Sequence, residues 1–529
     1  MPRTPRSVPR GPEVTWFDYA TIIIFFGLIV YFGYLFRQVS GTTRKFFLAD
    51  RALPGWLAGI TFISGNVSAM EILGLAGGGF VYGLVFAQYA WVGAIPAIVF
   101  LSLVLVPYYY RARIFNLLEF TGRRYGASTR LFHSLLMLSY MLLALGTGLY
   151  AFSLALDVMF GLPLWMSIGA SALVLGVVTA AGGLSATVLV QLMAFSFIWF
   201  ALLPLPFLAL NEVGWWSGLE RALEPEMMTV WRPVDDEFMS WPATLIGLGF
   251  ALAFASWATD QAIMQNILAA RSRRDAQMAP LVGGIAKLAV PLITVIPGMT
   301  ASVLLPDLET PDTAVFELIL RYYPTGLAGV AFISVMAGFT AMNTGMTMGL
   351  ANIFTRNVYR HHIRPGASDE HYVRASRAAT VGALLLGVLT AFIAAQFSVF
   401  YVWMQEYNIF VIVPLLAVLL LGLFWARTTA IGASTGLLAG SVSAVAAFVV
   451  VGAGDYLLWR ASATLAVSVV VTVAVSLATR PAARETLTGV LWGTLPESED
   501  EEQAGRWTRP VPLALVLLAV TAVLVTVFA

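Results

Sequence analysis

Fourteen stretches of about twenty mostly apolar residues recur along this chain, near 16–36, 55–83, 85–109, 131–160, 163–181, 186–210, 239–265, 280–304, 327–355, 375–396, 398–425, 430–452, 459–478 and 511–529. A helix rising about 1.5 Å per residue needs roughly twenty such residues to cross the hydrocarbon core of a bilayer. In that medium every backbone N–H and C=O must be paired inside the segment, so such runs fold as membrane-spanning helices. Of the 529 residues, 59% are hydrophobic and 11% charged, and the mean hydropathy is +0.82. Soluble domains carry roughly 25% charged residues. The expected fold class is therefore an all-α integral membrane protein with about fourteen transmembrane helices.

The same composition excludes several functions. The net charge is +1 and there is no long basic tract, so nucleic acid is not an expected partner. With no cysteine there are no disulfides, thiolate metal sites or cysteine nucleophiles. The four histidines lie in or beside charged loops, and no histidine metal site is expected. Arg3, Arg6 and Arg10 precede an apolar run that is too long for a signal peptide and lacks a small-residue cleavage site, so it reads as a retained helix. Of the 30 lysines and arginines, 22 fall in or at the edge of the loops on one side and seven on the other, counting both termini with the seven; the remaining one, Lys287, lies well inside a run. The positive-inside rule then puts the first set in the cytoplasm and both termini outside a cell membrane. The outer loop 211–238 reads as a surface cap, and the ESEDEE stretch at 497–502 as a solvated acidic linker.

One run departs from simple lipid contact. TFISGNVSAMEILGLAGGGFVYG, 61–83, carries Ser64, Asn66, Ser68 and Glu71 in its middle and then Gly77, Gly78 and Gly79. A carboxylate at such depth costs at least about 2.5 kcal/mol and marks a functional site by default. The stretch reads as an interrupted helix whose break holds a ligand or ion. The alternative is a helix with packing glycines and a glutamate paired to a neighbouring helix.

Other polar groups inside the runs are few. Asp260 follows Trp257 near the end of the seventh run, open to a tie with Arg271 or Arg273. Lys287 lies about two turns into the eighth run, where it can snorkel or pair with Asp260. Gln405 and Glu406 sit early in the eleventh; an amide that both donates and accepts suits a hydrogen-bonding solute site. Thr340, Asn343, Thr344 and Thr347 give the ninth run several oxygens, suited to close helix packing or to a hard cation.

These residues sit in segments that resemble the sodium/solute symporters of the sodium/glucose cotransporter superfamily. The resemblance is carried by ISGNVSAMEILGLAGGGFVYGL (63–84), FNLLEFTGRRYG (115–126), TAAGGLSATVLVQ (179–191), WATDQAIMQNILAARS (257–272), LVGGIAKLAVPLITVIPGM (281–299), NIFTRNVYR (352–360) and PLLAVLLLGLFWAR (414–427). It covers roughly 16–450 and looks closest to a bacterial sodium/galactose-type branch. It implies a leucine-transporter-like core of two five-helix inverted repeats, 55–210 and 239–425, joined by loop 211–238, preceded by 1–54 and followed by three further helices in 426–529. Broken first helices of each repeat would form a site near the midplane.

The resemblance also implies roles. The family's sugar-binding lysine falls on Lys287, its sugar-binding glutamine on Gln405, and a tryptophan beside the inner gate on Trp257. The gate tyrosine itself falls on Ser256. Glu71 stands where the first core helix usually offers a glutamine, and a sugar-binding glutamate and serine of the next helix fall on Ala90 and Gly93. Two carbonyls of the sodium site would come from Ser64 and Val67, but its two hydroxyls fall on Ala341 and Met342, and a supporting aspartate on Gln191. Thr340, Asn343 or Thr344 would compensate after a small register shift. The expectation is a secondary active transporter, not an enzyme, that needs no cofactor and couples Na⁺ to a small polar, sugar-like solute by alternating access. Proton-coupled or uncoupled transport with Glu71 as the key carboxylate is the alternative. A transporter-like membrane sensor is a further one.

Overall fold

The computed structural model describes residues 53–114, 117–182, 195–259, 270–483, 487–495 and 510–529, with a few isolated positions between. Among the described residues, 12 helices are long and apolar enough to cross a membrane. The run at 16–36, Asp260, Gln191 and the acidic stretch 497–502 lie outside the described residues, apart from isolated positions in the first.

The run at 55–83 is two helices, α1 (Gly55–Asn66) and α2 (Ala69–Tyr82). Between them Val67 has ψ 83° and Ser68 is extended, with φ −111° and ψ 175°. Gly65 and the β-branched Val67 weaken the helix there, and Ser68 opens a Ser-x-x-Glu pattern of the kind that starts helices. The glycine triplet is not the interruption: all three residues lie inside α2 and serve close packing. Gly77 faces the Asp312 carboxylate and Gly78 the Phe86 ring, while a methyl on Gly79 would lie 2.6 Å from the Val295 carbonyl oxygen. Asp312 in turn accepts the Phe400 N–H at 3.0 Å. Both readings of 61–83 thus hold in part, with a break at 67–68 and packing glycines beyond it.

Next come α3 (Ile95–Ala112), α4 (Ala127–Phe160), α5 (Leu164–Gly182), α6 (Phe195–Val213) and α7 (Trp241–Thr259). The run expected at 280–304 starts earlier and bends. α8 (Arg273–Ile293) opens at Ser272, whose hydroxyl accepts the Asp275 N–H at 3.1 Å. Thr294 leaves the helical region (φ −127°, ψ −71°), and α9 (Val295–Leu304) continues. Pro291 and Pro297 lack the N–H needed to carry the ladder through this point. Lys287 is consequently fourteen residues from the start of α8, about 21 Å along the axis. Its side chain is buried inside the bundle and so does not snorkel.

α1 packs along α8 and α2 along α9, half on half. At that second seam Gly298 meets the Ala76 carbonyl backbone to backbone. A Gly298→Ala methyl would overlap that oxygen, which no side-chain rotation relieves. Overpacking of this kind costs about 1–3 kcal/mol, so the variant should melt lower in detergent. An unchanged melting temperature would reject the close approach.

α10 (Leu327–Ile353) and α11 (Asp369–Ala394) lie against α4, and α12 (Phe400–Phe424) crosses the bundle. The FTGRRYG segment explains itself here. Arg124 donates to the carbonyls of Gly422 (3.1 Å) and Trp425 (3.2 Å), and the Tyr125 hydroxyl to Val418 O (2.8 Å). The Gly422 and Trp425 carbonyls are groups that the end of α12 leaves without helical partners. Outside the core, α13 (Ala430–Val451) presents Gly432, Gly436 and Gly440 every fourth residue. The first two pack on Ser476 and Thr472 of α14 (Leu457–Ala478), the small-residue packing favoured in lipid. α15 (Pro510–Val527) closes the chain.

The 211–238 segment holds a short helix, Trp215–Ala222, and is fastened to neighbouring elements. Arg232 donates to Tyr82 O at 2.7 Å, Gln88 Nε2 to Val230 O at 3.1 Å, and the Val230 N–H to Phe528 O at 3.0 Å.

Candidate functional site

The break at 67–68 opens on a buried cavity of about 220 Å³, walled by α1, α2, α4, α7, α8, α10 and α12. At one pole stand Asn66, Glu71 and Lys287. The Lys287 ammonium donates to Asn66 Oδ1 at 2.6 Å and forms an ion pair with Glu71 Oε1. Both partners are buried, Lys287 at 2% exposure and Glu71 at 6%. Nζ also stands 5.5 Å from the centroid of the Trp257 ring, within range of a cation–π contact. Lys287 therefore meets α1 and α2 across the helix break; the other expected partner, Asp260, lies outside the described residues.

Gln405 lines the same cavity from α12, and its Oε1 accepts from Asn408 Nδ2 at 2.9 Å. A π-helical stretch, Asn408–Ile412, begins at that asparagine, and another, Thr244–Leu252, brings Leu248 and Leu252 to the wall. Such widened turns often accompany functional sites. Ser256 and Gly93 also line the cavity, whereas Ala90 is buried away from its surface. Methionines from α4 and α10, among them Met141, Met342 and Met346, form an apolar wall able to follow a ligand's shape.

Toward the 211–238 segment the cavity is shut by a ladder of aromatic rings. Tyr401 and Tyr89 meet edge-on at 5.1 Å, Tyr89 and Phe86 lie 5.1 Å apart, Phe86 and Tyr82 stack at 5.3 Å, and Tyr82 and Phe238 at 4.4 Å. In the other direction Thr259, Met346 and Gly349 line the space. Sequence reasoning missed this ladder and missed Asn408. The only trace of the latter was its i, i+3 spacing from Gln405.

The expected cation ligands do not all gather. Ser64 and Val67 are at the break, where terminal carbonyls lose their helical partners. α10 leans on that point through Gly338, where a methyl would lie 3.8 Å from Val67 O. Met342 and Gly345 share this face of α10 and line the cavity. The other candidates on α10 differ in what their side chains meet. Thr340 donates to Met336 O within its own helix at 2.8 Å, Asn343 is turned to Gly148 on α4, and the Thr344 hydroxyl is buried without a hydrogen-bond partner. The Ala341 side chain lies outside the described residues.

A membrane bundle whose first core helix breaks beside a cavity with a cluster of polar groups on largely apolar walls, closed toward one face by aromatic rings, has the build of an alternating-access transporter. Comparison with known proteins identifies it further: the sodium:solute symporter family model matches residues 46–440, and the chain belongs to that family. It is 29% identical to the sodium/glucose cotransporter of Vibrio parahaemolyticus over 457 residues, which cover 80% of this chain and 84% of that one. It is 26% identical to sodium/myo-inositol cotransporter 2 of Oryctolagus cuniculus, covering 83% and 71%. Among solved structures, a Na⁺-coupled sialic acid symporter in a substrate-bound outward-open state superposes with a TM-score of 0.74 at 17% identity, covering 89% of this chain and 99% of that one. The fold is the leucine-transporter-like one, and the protein is a cation-coupled symporter rather than an enzyme.

Proposed function

We propose that this protein moves a sugar-like solute across the cell membrane with Na⁺, and that the cavity beside the 67–68 break is the solute site. The observation that carries this is the convergence of Asn66, Glu71, Lys287, Trp257 and Gln405 on one buried cavity in a chain of this family. Relatives named for glucose and myo-inositol support a polyhydroxy solute. Lys287 and Gln405 supply the donors and acceptors, Trp257 an apolar face for a ring, and Ser256 the inner-gate position. The repeats are 55–210 and 239–425, rocking against each other around this point. Sodium is held by carbonyls of Ser64 and Val67, with further oxygens from α10, where Thr344 retains an unpartnered hydroxyl. With both termini and the 211–238 cap outside, the aromatic ladder is the outer barrier and the present structure is directed inward.

The test is uptake of labelled glucose, galactose and myo-inositol into proteoliposomes under an imposed Na⁺ or H⁺ gradient. Accumulation driven by Na⁺ and not by H⁺ is expected. Proton-driven or gradient-independent uptake would remove sodium from the mechanism. Substrate binding without uptake would instead point to a sensor.

A further inference from the structure

Among the described residues that line the solute cavity, the charged side chains are Glu71 and Lys287, and they neutralise each other. A lysine has three N–H donors. One of them goes to Asn66 Oδ1 and one to Glu71 Oε1, while the ammonium also faces the Trp257 ring. Lys287 therefore meets a solute with its charge already compensated and most of its donors spent.

The polar capacity left over is of the opposite kind. Glu71 Oε2 is buried with no hydrogen-bond partner, and so is Asn408 Oδ1. Both residues line the cavity, as does Tyr89, whose hydroxyl is likewise unpartnered and can act either way. A buried acceptor left unmade costs about 1–3 kcal/mol, so these oxygens call for donors from the ligand. Hydroxyl groups supply them. A carboxylate supplies only acceptors and brings a second negative charge beside Glu71, where no positive charge remains unbalanced.

We propose that Glu71 sets the charge selectivity of the solute site: by neutralising Lys287 and offering its second oxygen to a ligand hydroxyl, it admits neutral polyhydroxy solutes and excludes their carboxylate counterparts. The inference rests on the sugar-like reading above and adds the class of solute that is refused. The glutamate acts on selectivity by direct contact with the solute and through the lysine it compensates. Were it a neutral amide, the ammonium would be free to attract an anion.

The experiment uses the full chain in proteoliposomes and matched competitors, a hexose against the hexuronate of the same stereochemistry and a polyol against its aldonate. Wild type and Glu71→Gln are compared, the glutamine keeping an acceptor for Lys287 while removing the charge. Wild type should favour the neutral member by more than about tenfold, and Glu71→Gln should move that ratio at least about tenfold toward the acid, since like charges brought together strongly disfavour a partner. A wild type that takes the acid as readily as its neutral partner overturns the proposal and leaves the sugar-like reading standing. A Glu71→Gln protein that melts like wild type with an unchanged ratio overturns it as well. Should Glu71→Gln fail to fold, the wild-type ratio decides alone. Uptake of acids with no uptake of any neutral polyol would remove the sugar-like reading and this inference together.

Discussion

Replacing Lys287 with alanine should abolish gradient-driven accumulation and lower the melting temperature. The residue is 2% exposed, four turns inside α8, and is held by Asn66 and Glu71 on the far side of the α1–α2 break. Truncation strands the Glu71 carboxylate, itself 6% exposed, without a counter-ion. Breaking a buried pair in this way costs about 3–5 kcal/mol. The loss to function is separate, because the lysine also ties α8 to the interrupted helix that walls the proposed solute site. Two charge-assisted hydrogen bonds, at about 1.5–3 kcal/mol each, disappear from a seam that must hold its shape around the solute. Uptake should therefore fall by about two orders of magnitude or more. Removing both charges, with Lys287→Met and Glu71→Gln together, should recover most of the melting temperature and none of the uptake. Transport by Lys287→Ala at the wild-type rate would exclude the pair from the mechanism.

Arg460→Ala should destabilise the protein as strongly and leave solute affinity nearly untouched. Arg460 opens α14 and is ion-paired with Glu406 of α12 at 6% and 0% side-chain exposure. The same Glu406 oxygen accepts the Gly454 N–H at 2.9 Å, and Arg460 Nε donates to Asp455 O at 2.9 Å. The network fastens a peripheral helix to the one that carries Gln405. Neither Glu406 nor Arg460 lines the cavity. Loss of the arginine leaves a fully buried carboxylate, at a cost of about 3–5 kcal/mol. Thermal melting of purified protein, with KM measured on the fraction that survives reconstitution, separates the two effects. A wild-type melting temperature would reject the pair as a structural tie, and a large rise in KM would show that it reaches the site. The double variant Glu406→Gln with Arg460→Met should regain part of the lost stability.

Gln405 and Glu406 show where sequence reading stops. They are neighbours in FYVWMQEYN and both polar inside an apolar run, and one residue of separation turns a side chain by about 100° around a helix. One faces the cavity and the other faces α14. No pattern within the run says which, because the partner lies about fifty positions away. The same holds for Lys287, whose partners Asn66 and Glu71 are more than two hundred residues earlier. The early start of α8 is hidden as well, because Arg273 to Gln277 are mostly polar and do not look like part of an apolar run.

The sequence alone determined that the chain is a bundle of membrane helices, that the stretch 61–83 departs from simple lipid contact, and that Lys287 and Gln405 are out of place in lipid. Those conclusions follow from the cost of unpaired polar groups in hydrocarbon, which acts locally and is written in each run. The tertiary structure decided everything that depends on which groups meet. It put the glycine triplet to packing, paired Glu71 with Lys287, stacked Tyr82, Phe86, Tyr89 and Phe238 into a barrier, and turned Asn343 toward Gly148 and away from the break. The physical reason is that a membrane exposes polar residues by their energy alone, while their roles come from partners brought together by helices distant in the chain.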